Sequence, residues 1–394
     1  MSFENTNDDW NDDIAEDLKP NLKELEGITI GSRDWTVETV ITQIQKGNIE
    51  LNPKFQRRNA WDDIKRSRLI ESLILGMPVP EIVLAEDPNR KGSFFVIDGK
   101  QRLTSIIGFV ESENSKFQYW NDAELQGLKT REDLNGLTYP VLSSEPKYEN
   151  EHRRFTNQGI RSTLITNYKS QDVLYDIFYR LNTGSVPLST QELRQVLNKG
   201  DFADYLIEIT NSNQPIHEVM GLEKPDNRLR DIEIILRFIS IVLFGDKYKS
   251  NLKKFLDDSM QEINNDWDEF KPKVEAVYSD FNKAITLLST IIETEKIGRK
   301  FTKGRWEGKF NKVLFEVEVY YFMELIKYKI SSKEKKEFIQ GFQELCESDT
   351  EFRRSIELST KDIGQYEVRF KRFLSLINKV FHKKISNIPI TLKT

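Results

Sequence analysis

Asp98, Lys100 and Arg102 lie within five residues of one another around Gly99, in the segment DGKQR. Lysine and arginine neutralise phosphate groups, and an aspartate can bind Mg²⁺ or orient a water molecule. A glycine lets the backbone approach a ligand closely. The combination predicts an anion site, most simply for a phosphate. Asp98 would act there as helix N-cap, as metal ligand or as the group that positions an attacking water.

The flanking residues predict the elements that hold this segment. The apolar run Phe94–Ile97 is typical of a buried strand, and Asp98-Gly99 interrupts it. Apolar residues then recur at helical spacing from Lys100 onwards. The first amides of a helix have no intrahelical partner and favour an anion, whereas cations are disfavoured there. Lys100 and Arg102 in that turn therefore indicate an external anion, although an N-capped helix with solvated cations is the alternative.

A second group of donors precedes this segment, in PKFQRRNAW (Pro53–Trp61). Gln56, Arg57 and Arg58 stand there between Phe55 and Trp61. Guanidinium groups bind phosphate in a bidentate way, and adjacent aromatic rings hold them or stack on a base. The alternative is that the two aromatic residues are core anchors and the arginines face solvent.

A third group lies at a predicted helix–loop–helix corner. A helix over residues 171–182 is stopped by Thr183-Gly184, and Ser189 with Glu192 forms a capping box that starts a helix over 190–198. This corner could close over phosphates or a base, with Asn182 and Gln191 reading the base edge and Arg180 or Arg194 neutralising charge. The alternative is that the amides only satisfy loop carbonyls. The side chains concerned are Arg180, Asn182, Thr183, Gln191 and Arg194.

Four ordered segments together resemble the N-terminal domain of GmrSD-type modification-dependent restriction endonucleases. They are NPKFQRRNAW, SRLIESLILGMPVPEIVL, VIDGKQRLTSI and YRLNTGSVPLSTQELRQ, spread over about residues 30–240. The resemblance implies a ParB/sulfiredoxin-like fold, in which the segment usually written DGQQR binds and hydrolyses a nucleotide. Here Lys100 replaces the first Gln, which keeps phosphate binding and could alter hydrolysis. Asp98, Gln101 and Arg102 are then the expected catalytic residues, with Mg²⁺ on Asp98, and Gly99 and Lys100 belong to the nucleotide site.

Composition bounds the class of protein. The chain has 394 residues, of which 38% are hydrophobic and 31% charged, as in a globular protein with more charge than average. Membrane-length apolar runs and a signal peptide are not recognisable, and the single cysteine, Cys346, excludes an internal disulfide. We therefore expect a cytoplasmic protein without membrane contact.

Charge and periodicity divide the chain into an acidic lead at residues 1–30, predicted to be disordered, a ParB-like nucleotide-binding domain at 31–200, and an all-α domain at 201–394. The lead holds nine acids against two lysines, a net of −7, so the remainder nets +2 within the total of −5. The predicted fold class is thus α+β. In the helical part, RKFTKGRWEGKFNK interleaves cations with aromatic rings, which suits nucleic acid as well as a solvated surface. The expected DNA contacts are Arg299, Lys300, Lys303, Arg305, Trp306 and Lys309.

Three functions follow from these patterns. The first is an NTP-binding, NTP-hydrolysing regulatory subunit of a prokaryotic anti-phage, restriction-like system that contacts DNA and a separate nuclease. Only three histidines occur, at 152, 217 and 382, without the spacing of an HNH metal centre, so we expect a stand-alone member that does not itself cut DNA. Alternatives are a non-catalytic DNA-binding or protein-docking module with a structural DGKQR segment, and a ParB-fold phosphotransferase. The base of the NTP and any homo-oligomer are left open.

Overall fold

The computed structural model of the chain describes residues 26–51, 61–111, 120, 122–181 and 189–390. The chain divides into two compact units between Leu197 and Asn198. Each unit has its own elements and is described by itself.

The N-terminal unit is built on five strands. They are β1 (Thr29–Thr36), β2 (Ile49–Glu50), β3 (Ile82–Glu86), β4 (Phe94–Asp98) and β5 (Gly159–Thr166). The helices are α1 (Val37–Gln45), α2 (Asp63–Leu75), α3 (Lys100–Val110), α4 (Tyr139–Ser144), α5 (Glu149–Asn157), α6 (Gln171–Leu181) and α7 (Thr190–Leu197). Two short 3₁₀ turns, Glu132–Leu134 and Pro146–Tyr148, lie between α3 and α5.

The strands form one mixed sheet in the order β1-β5-β3-β4-β2. β3 is antiparallel to β4 and parallel to β5, whereas β2 is parallel to β4. The start of β3 therefore lies at the end of the sheet where β4 finishes. The β3–β4 pairing shifts between Val83 and Leu84, so that Val83 is opposite Asp98 while Leu84 is opposite Val96. Such a bulge bends the strand locally and often adjoins a functional site.

Helices cover both faces of this sheet because β4 is apolar on both. Phe94 and Val96 contribute to one core with Leu103 and Ile106 of α3, and with apolar residues of α1, α2 and α5. Phe95 and Ile97 contribute to the opposite core, which α6 and α7 supply with Leu174, Tyr175, Phe178, Leu193, Val196 and Leu197. Alternate side chains of a strand point to opposite faces, so a strand with four consecutive buried apolar residues, Phe94–Ile97, has helices packed on both faces.

The second unit is helical. Its helices are α8 (Asp201–Ile209), α9 (Pro215–Met220), α10 (Arg230–Phe244), α11 (Leu252–Asn265), α12 (Trp267–Ser289), α13 (Lys312–Leu325), α14 (Ser332–Ser348), α15 (Thr350–Glu357) and α16 (Ile363–Phe381). A two-stranded hairpin, β6 (Phe301–Thr302) and β7 (Arg305–Trp306), separates α12 from α13. In α10, residues Asp231–Ile241 are all buried.

This architecture confirms the predicted α+β class, with a small α/β unit followed by a helical one. Two details differ from the prediction. β1 begins at Thr29, inside the segment assigned to the acidic lead, and the helical unit contains the small β6–β7 hairpin. None of the helices in the described ranges combines the length and the apolar composition that a membrane crossing requires.

Candidate functional site

The structure confirms the predicted strand–turn–helix at the end of β4. β4 finishes at Asp98, Gly99 is the N-cap residue with φ 95°, and α3 starts at Lys100. Because Gly99 holds the N-cap position, Asp98 does not cap α3, which corrects one of its three expected roles. Among the described residues no side chain caps α3, and its first turn contains no acidic residue. The first turn itself therefore offers no carboxylate to the amide dipoles.

Arg102 is turned inward at this junction. Its Nη2 donates to Asp98 Oδ2 at 2.8 Å and to the backbone carbonyl of Glu81 at 2.8 Å, and the residue is only 9% exposed. Glu81 immediately precedes β3, so Arg102 ties α3 to the ends of two neighbouring strands. The expectation of a solvent-facing phosphate ligand is therefore corrected for this side chain, although it lies beside the expected site.

Lys100 and Gln101 are the other side chains of the first turn. Burial lowers the pKa of the Lys100 ammonium, and the carboxylate of Glu192 on α7 opposes that shift. Gln101 is half-buried, and its Oε1 lies beneath the surface without a hydrogen-bond partner among the described residues. A cation in a desolvated place gains from an additional anion, because water stabilises it less there.

Gly99 serves the packing of the sheet. A Cβ at this position would lie 2.5 Å from Ile82 Cγ2 and 3.2 Å from Arg102 Nη2. A side chain therefore has no room here, and the left-handed φ also favours glycine. The sequence predicted that this glycine makes space for a ligand, whereas the structure shows that it makes space for β3.

The predicted corner between α6 and α7 is only partly described. Asn182, Thr183 and Gly184 lie outside the described residues. Arg180 is exposed on α6 and donates from Nε to Asp176 Oδ2 at 2.8 Å, one turn earlier in the same helix. This is a common solvent-side pair, which is worth little to stability.

α7 contains the predicted capping box, but its polar side chains are buried. The capping box is confirmed, since Glu192 Oε2 accepts from the Ser189 amide at 2.5 Å and Ser189 Oγ accepts from the Glu192 amide at 3.1 Å. Gln191 and Arg194 are both completely buried, however, and Arg194 Nη1 donates to Gln191 Oε1 at 2.6 Å. The two side chains thus bind each other inside the unit, which corrects the expectation that they face a ligand from the surface.

The arginine-rich loop is the second predicted group of donors, and its Gln56, Arg57 and Arg58 lie outside the described residues. Trp61 is half-buried against the core that contains α3, and the Lys65 ammonium lies 4.7 Å from its ring centroid. β2 runs parallel to β4, so the chain at Leu51 heads towards the end of the sheet that holds Asp98.

The basic segment of the helical unit contains both buried and exposed cations. Arg299 is buried, and its three nitrogens donate to the carbonyls of Gly308, Ile297 and Val219 at 3.2, 3.0 and 3.1 Å. Burial lowers the pKa of this guanidinium, and Glu318 opposes the shift. Arg299 is therefore a structural clamp, which corrects its predicted DNA contact.

The remaining predicted DNA contacts lie on or next to the β6–β7 hairpin. Lys300 pairs with Glu357 at 2.7 Å and with Glu307 at 3.3 Å, and Trp306 stacks on Phe342 with ring centroids 5.6 Å apart. These two side chains are thus engaged within the unit. The exposed cations are Lys303, Arg305 and Lys309.

The described residues offer little for a metal ion. They place no three His, Cys, Asp or Glu side chains together in a suitable arrangement. His217 uses both ring nitrogens, since Nδ1 accepts from the Gln214 amide at 2.9 Å and Nε2 therefore donates to Asp231 Oδ2 at 2.8 Å. Asp98 is already paired with Arg102, so the expected Mg²⁺ site on this carboxylate does not fit the geometry.

Two residues at the β4–α3 junction were not identified from the sequence. Glu81 supplies a carbonyl oxygen to Arg102, and Glu192 supplies charge to Lys100 in addition to its place in the capping box. The only signal for Glu81 was its position directly before the strand IVLAE. Nothing in the local pattern of α7 indicated that its acid faces the first turn of α3.

One comparison with known proteins gives a match. The family model described as GmrSD restriction endonuclease, N-terminal domain, matches residues 37–198, which contain all the elements around the β4–α3 junction. Neither the curated proteins nor the solved structures contain a significant match to the chain.

Proposed function

Because residues 37–198 belong to the GmrSD restriction endonuclease N-terminal domain family, we propose that this part of the chain binds a nucleoside triphosphate at the β4–α3 junction. The bound nucleotide then controls a restriction-type system. Phosphate oxygens accept from the first amides of α3, and the Lys100 ammonium neutralises their charge.

The observation that carries this proposal is the uncapped start of α3. A helix that follows a strand through one glycine, with no capping side chain among the described residues and no acid in its first turn, favours an anion at its positive end. Arg102 in that turn is paired with Asp98, whereas the Lys100 cation opposes the dipole. A bound anion, such as the phosphates of a triphosphate, explains a lysine at this place.

The surroundings of Lys100 also support phosphate binding at the start of α3. Its ammonium is desolvated, and Glu192 balances only part of that cost. A bound phosphate would favour the charged form of Lys100, so binding should take up protons. Nucleotide affinity should then fall as pH rises towards the lowered pKa of this lysine.

The test is nucleotide binding by the full chain and by two lysine variants. ATP, GTP and CTP are titrated by calorimetry with Mg²⁺, and phosphate release is followed in parallel for hydrolysis. Lys100→Met should weaken binding by about tenfold or more, the loss expected for one charge-assisted contact. Lys91→Met is the matched control, because Lys91 lies in the β3–β4 turn, is 69% exposed and pairs with Glu86 of the adjoining strand.

Two results would refute the proposal. One is the absence of binding by the unmodified chain to all three nucleotides. The other is an equal affinity of the Lys100→Met and Lys91→Met variants, which would assign any binding to a different place. If the pH dependence of nucleotide affinity persists in Lys100→Met, the proton uptake does not come from this lysine, which would also contradict the proposal.

We also propose that the chain contacts DNA and acts with a separate nuclease. The family description names a restriction endonuclease, and the exposed cations of the β6–β7 hairpin provide a local surface for phosphates. Both ring nitrogens of His217, one of only three histidines, are already hydrogen-bonded inside the protein. Cleavage of plasmid and modified phage DNA should therefore require an added nuclease.

A further inference from the structure

We infer that Asp98 and Arg102 act as a pair of positioning residues that fix the start of α3, and that neither is a magnesium ligand or a phosphate contact. This inference rests on the proposed nucleotide site and assigns its direct contacts to Lys100 and the α3 amides. It departs from the roles that the DGKQR segment suggests when it is considered as a sequence.

The hydrogen bonds of Arg102 are the first support. One nitrogen, Nη2, serves both the Asp98 carboxylate and the Glu81 carbonyl, each at 2.8 Å. The Arg102 side chain is 11% exposed and that of Asp98 is 30% exposed. Because Nη2 is hydrogen-bonded to acceptors at two strand ends, the positive charge of the guanidinium is directed mainly into the protein and less towards a ligand.

The backbone around the pair is the second support. Asp98 lies opposite Val83 at the point where the β3–β4 register shifts, and Gly99 follows with a left-handed φ. The Arg102 guanidinium lies close to Gly99, beside the start of β3. A partly buried ion pair that spans this irregular strand end holds the end of β4 and the start of α3 in one arrangement.

The charge of the pair is the third support. A guanidinium 2.8 Å from the carboxylate neutralises it and repels a divalent cation that approaches the same group. Magnesium usually takes one or two available carboxylates together with the substrate phosphates and water. Oδ2 of Asp98 is already bound by Arg102, and the part of the chain that the structure describes gathers no three candidate ligands around this carboxylate.

The experiment compares Asp98→Ala with Asp98→Asn, in the full chain, for ATP, GTP and CTP binding with excess Mg²⁺ and with EDTA. Asparagine keeps an oxygen that accepts from Arg102 Nη2, whereas alanine removes it. We expect Asp98→Ala to weaken binding about tenfold in both conditions, as for a lost charge-assisted hydrogen bond that positions the amides. Asp98→Asn should restore the affinity to within about threefold of the unmodified chain.

A magnesium ligand would behave differently. Asparagine would then be as damaging as alanine, and the loss would appear only with Mg²⁺, a result that overturns the inference. Arg102→Lys gives a second measurement, since the shorter lysine side chain cannot bring its ammonium to both oxygens. This variant should have a lower melting temperature. An unchanged melting temperature with lost affinity would also overturn the inference. If the unmodified chain binds no nucleotide, the proposed function itself fails, which is a distinct outcome.

Discussion

Replacing Gly99 with alanine should destabilise the N-terminal unit through two separate physical effects. The left-handed φ of 95° costs an L-residue about 1–2 kcal/mol. The new Cβ would also lie 2.5 Å from Ile82 Cγ2, a contact that real structures do not tolerate, and overpacking of this kind costs about 1–3 kcal/mol. The free energy of unfolding should therefore fall by about 2–5 kcal/mol.

Gly92 supplies the matched control for this substitution. It lies in the β3–β4 turn with φ 80°, and a Cβ there would meet no atom within 4 Å. Gly92→Ala should thus cost only the conformational part, about 1–2 kcal/mol. The difference between the two variants, about 1–3 kcal/mol, isolates the contact with β3.

The assay is urea denaturation, with thermal melts in parallel. A unit of this size should lose roughly 4–20 °C for Gly99→Ala. Ile82→Ala removes the clashing methyl, so in the double variant the two losses should sum to about 1–3 kcal/mol less than their separate values. Equal losses for Gly99→Ala and Gly92→Ala, with nucleotide binding abolished only in the first, would refute this reasoning. That result would show that Gly99 makes room for a ligand.

Four further predictions concern the whole chain. Plasmid and modified phage DNA should remain intact with Mg²⁺ or Mn²⁺ and any NTP, and cleavage lost on mutation of a carboxylate of this chain would contradict the proposal of a separate nuclease. Arg299→Ala should lower the free energy of unfolding by about 3–5 kcal/mol because buried carbonyls lose their donor, whereas Arg305→Ala should change it by less than about 0.5 kcal/mol. Burial raises the pKa of Glu318 to about 8, so the contribution of this group to stability should be greatest below about pH 4 and be lost as pH rises towards 8. Glu318→Gln should remove this component, a slope of about 1.4 kcal/mol per pH unit in denaturation series, and an unchanged slope would exclude Glu318 as its source. Deleting the acidic residues 1–26 should raise DNA affinity, with a gain that shrinks as salt increases and that disappears when the exposed hairpin cations are reversed to Glu; a salt-independent gain would exclude an electrostatic cause. Those cations are Lys303, Arg305 and Lys309.

The local sequence determined the elements around the site. The apolar run before Asp98, the single glycine and the helical spacing after Lys100 predicted β4, the turn and α3, and all three are present. The capping box at the start of α7 was predicted from Ser189 and Glu192 alone. These features depend on side chains within a few residues of one another, so a single sequence contains the interactions that form them.

β1 was not predicted, because β5, the strand with which it pairs, lies far along the chain. Six of its eight residues are exposed, so it lacks the alternation that marks a half-buried strand. It exists through pairing with β5, in which Thr29 is opposite Thr166. Backbone pairing over such a separation leaves no trace in local composition.

The direction in which each cation points was decided only by the tertiary structure. Arg102 binds the carbonyl of Glu81, 21 residues earlier, and Arg299 binds that of Val219, 80 residues earlier. Lys303 and Arg305, in the same basic segment as Arg299, remain exposed. An arginine has the same local pattern whether it binds a phosphate in solvent or a carbonyl in a core. Which of the two occurs depends on the elements that fold against it, and the sequence around the residue does not contain them.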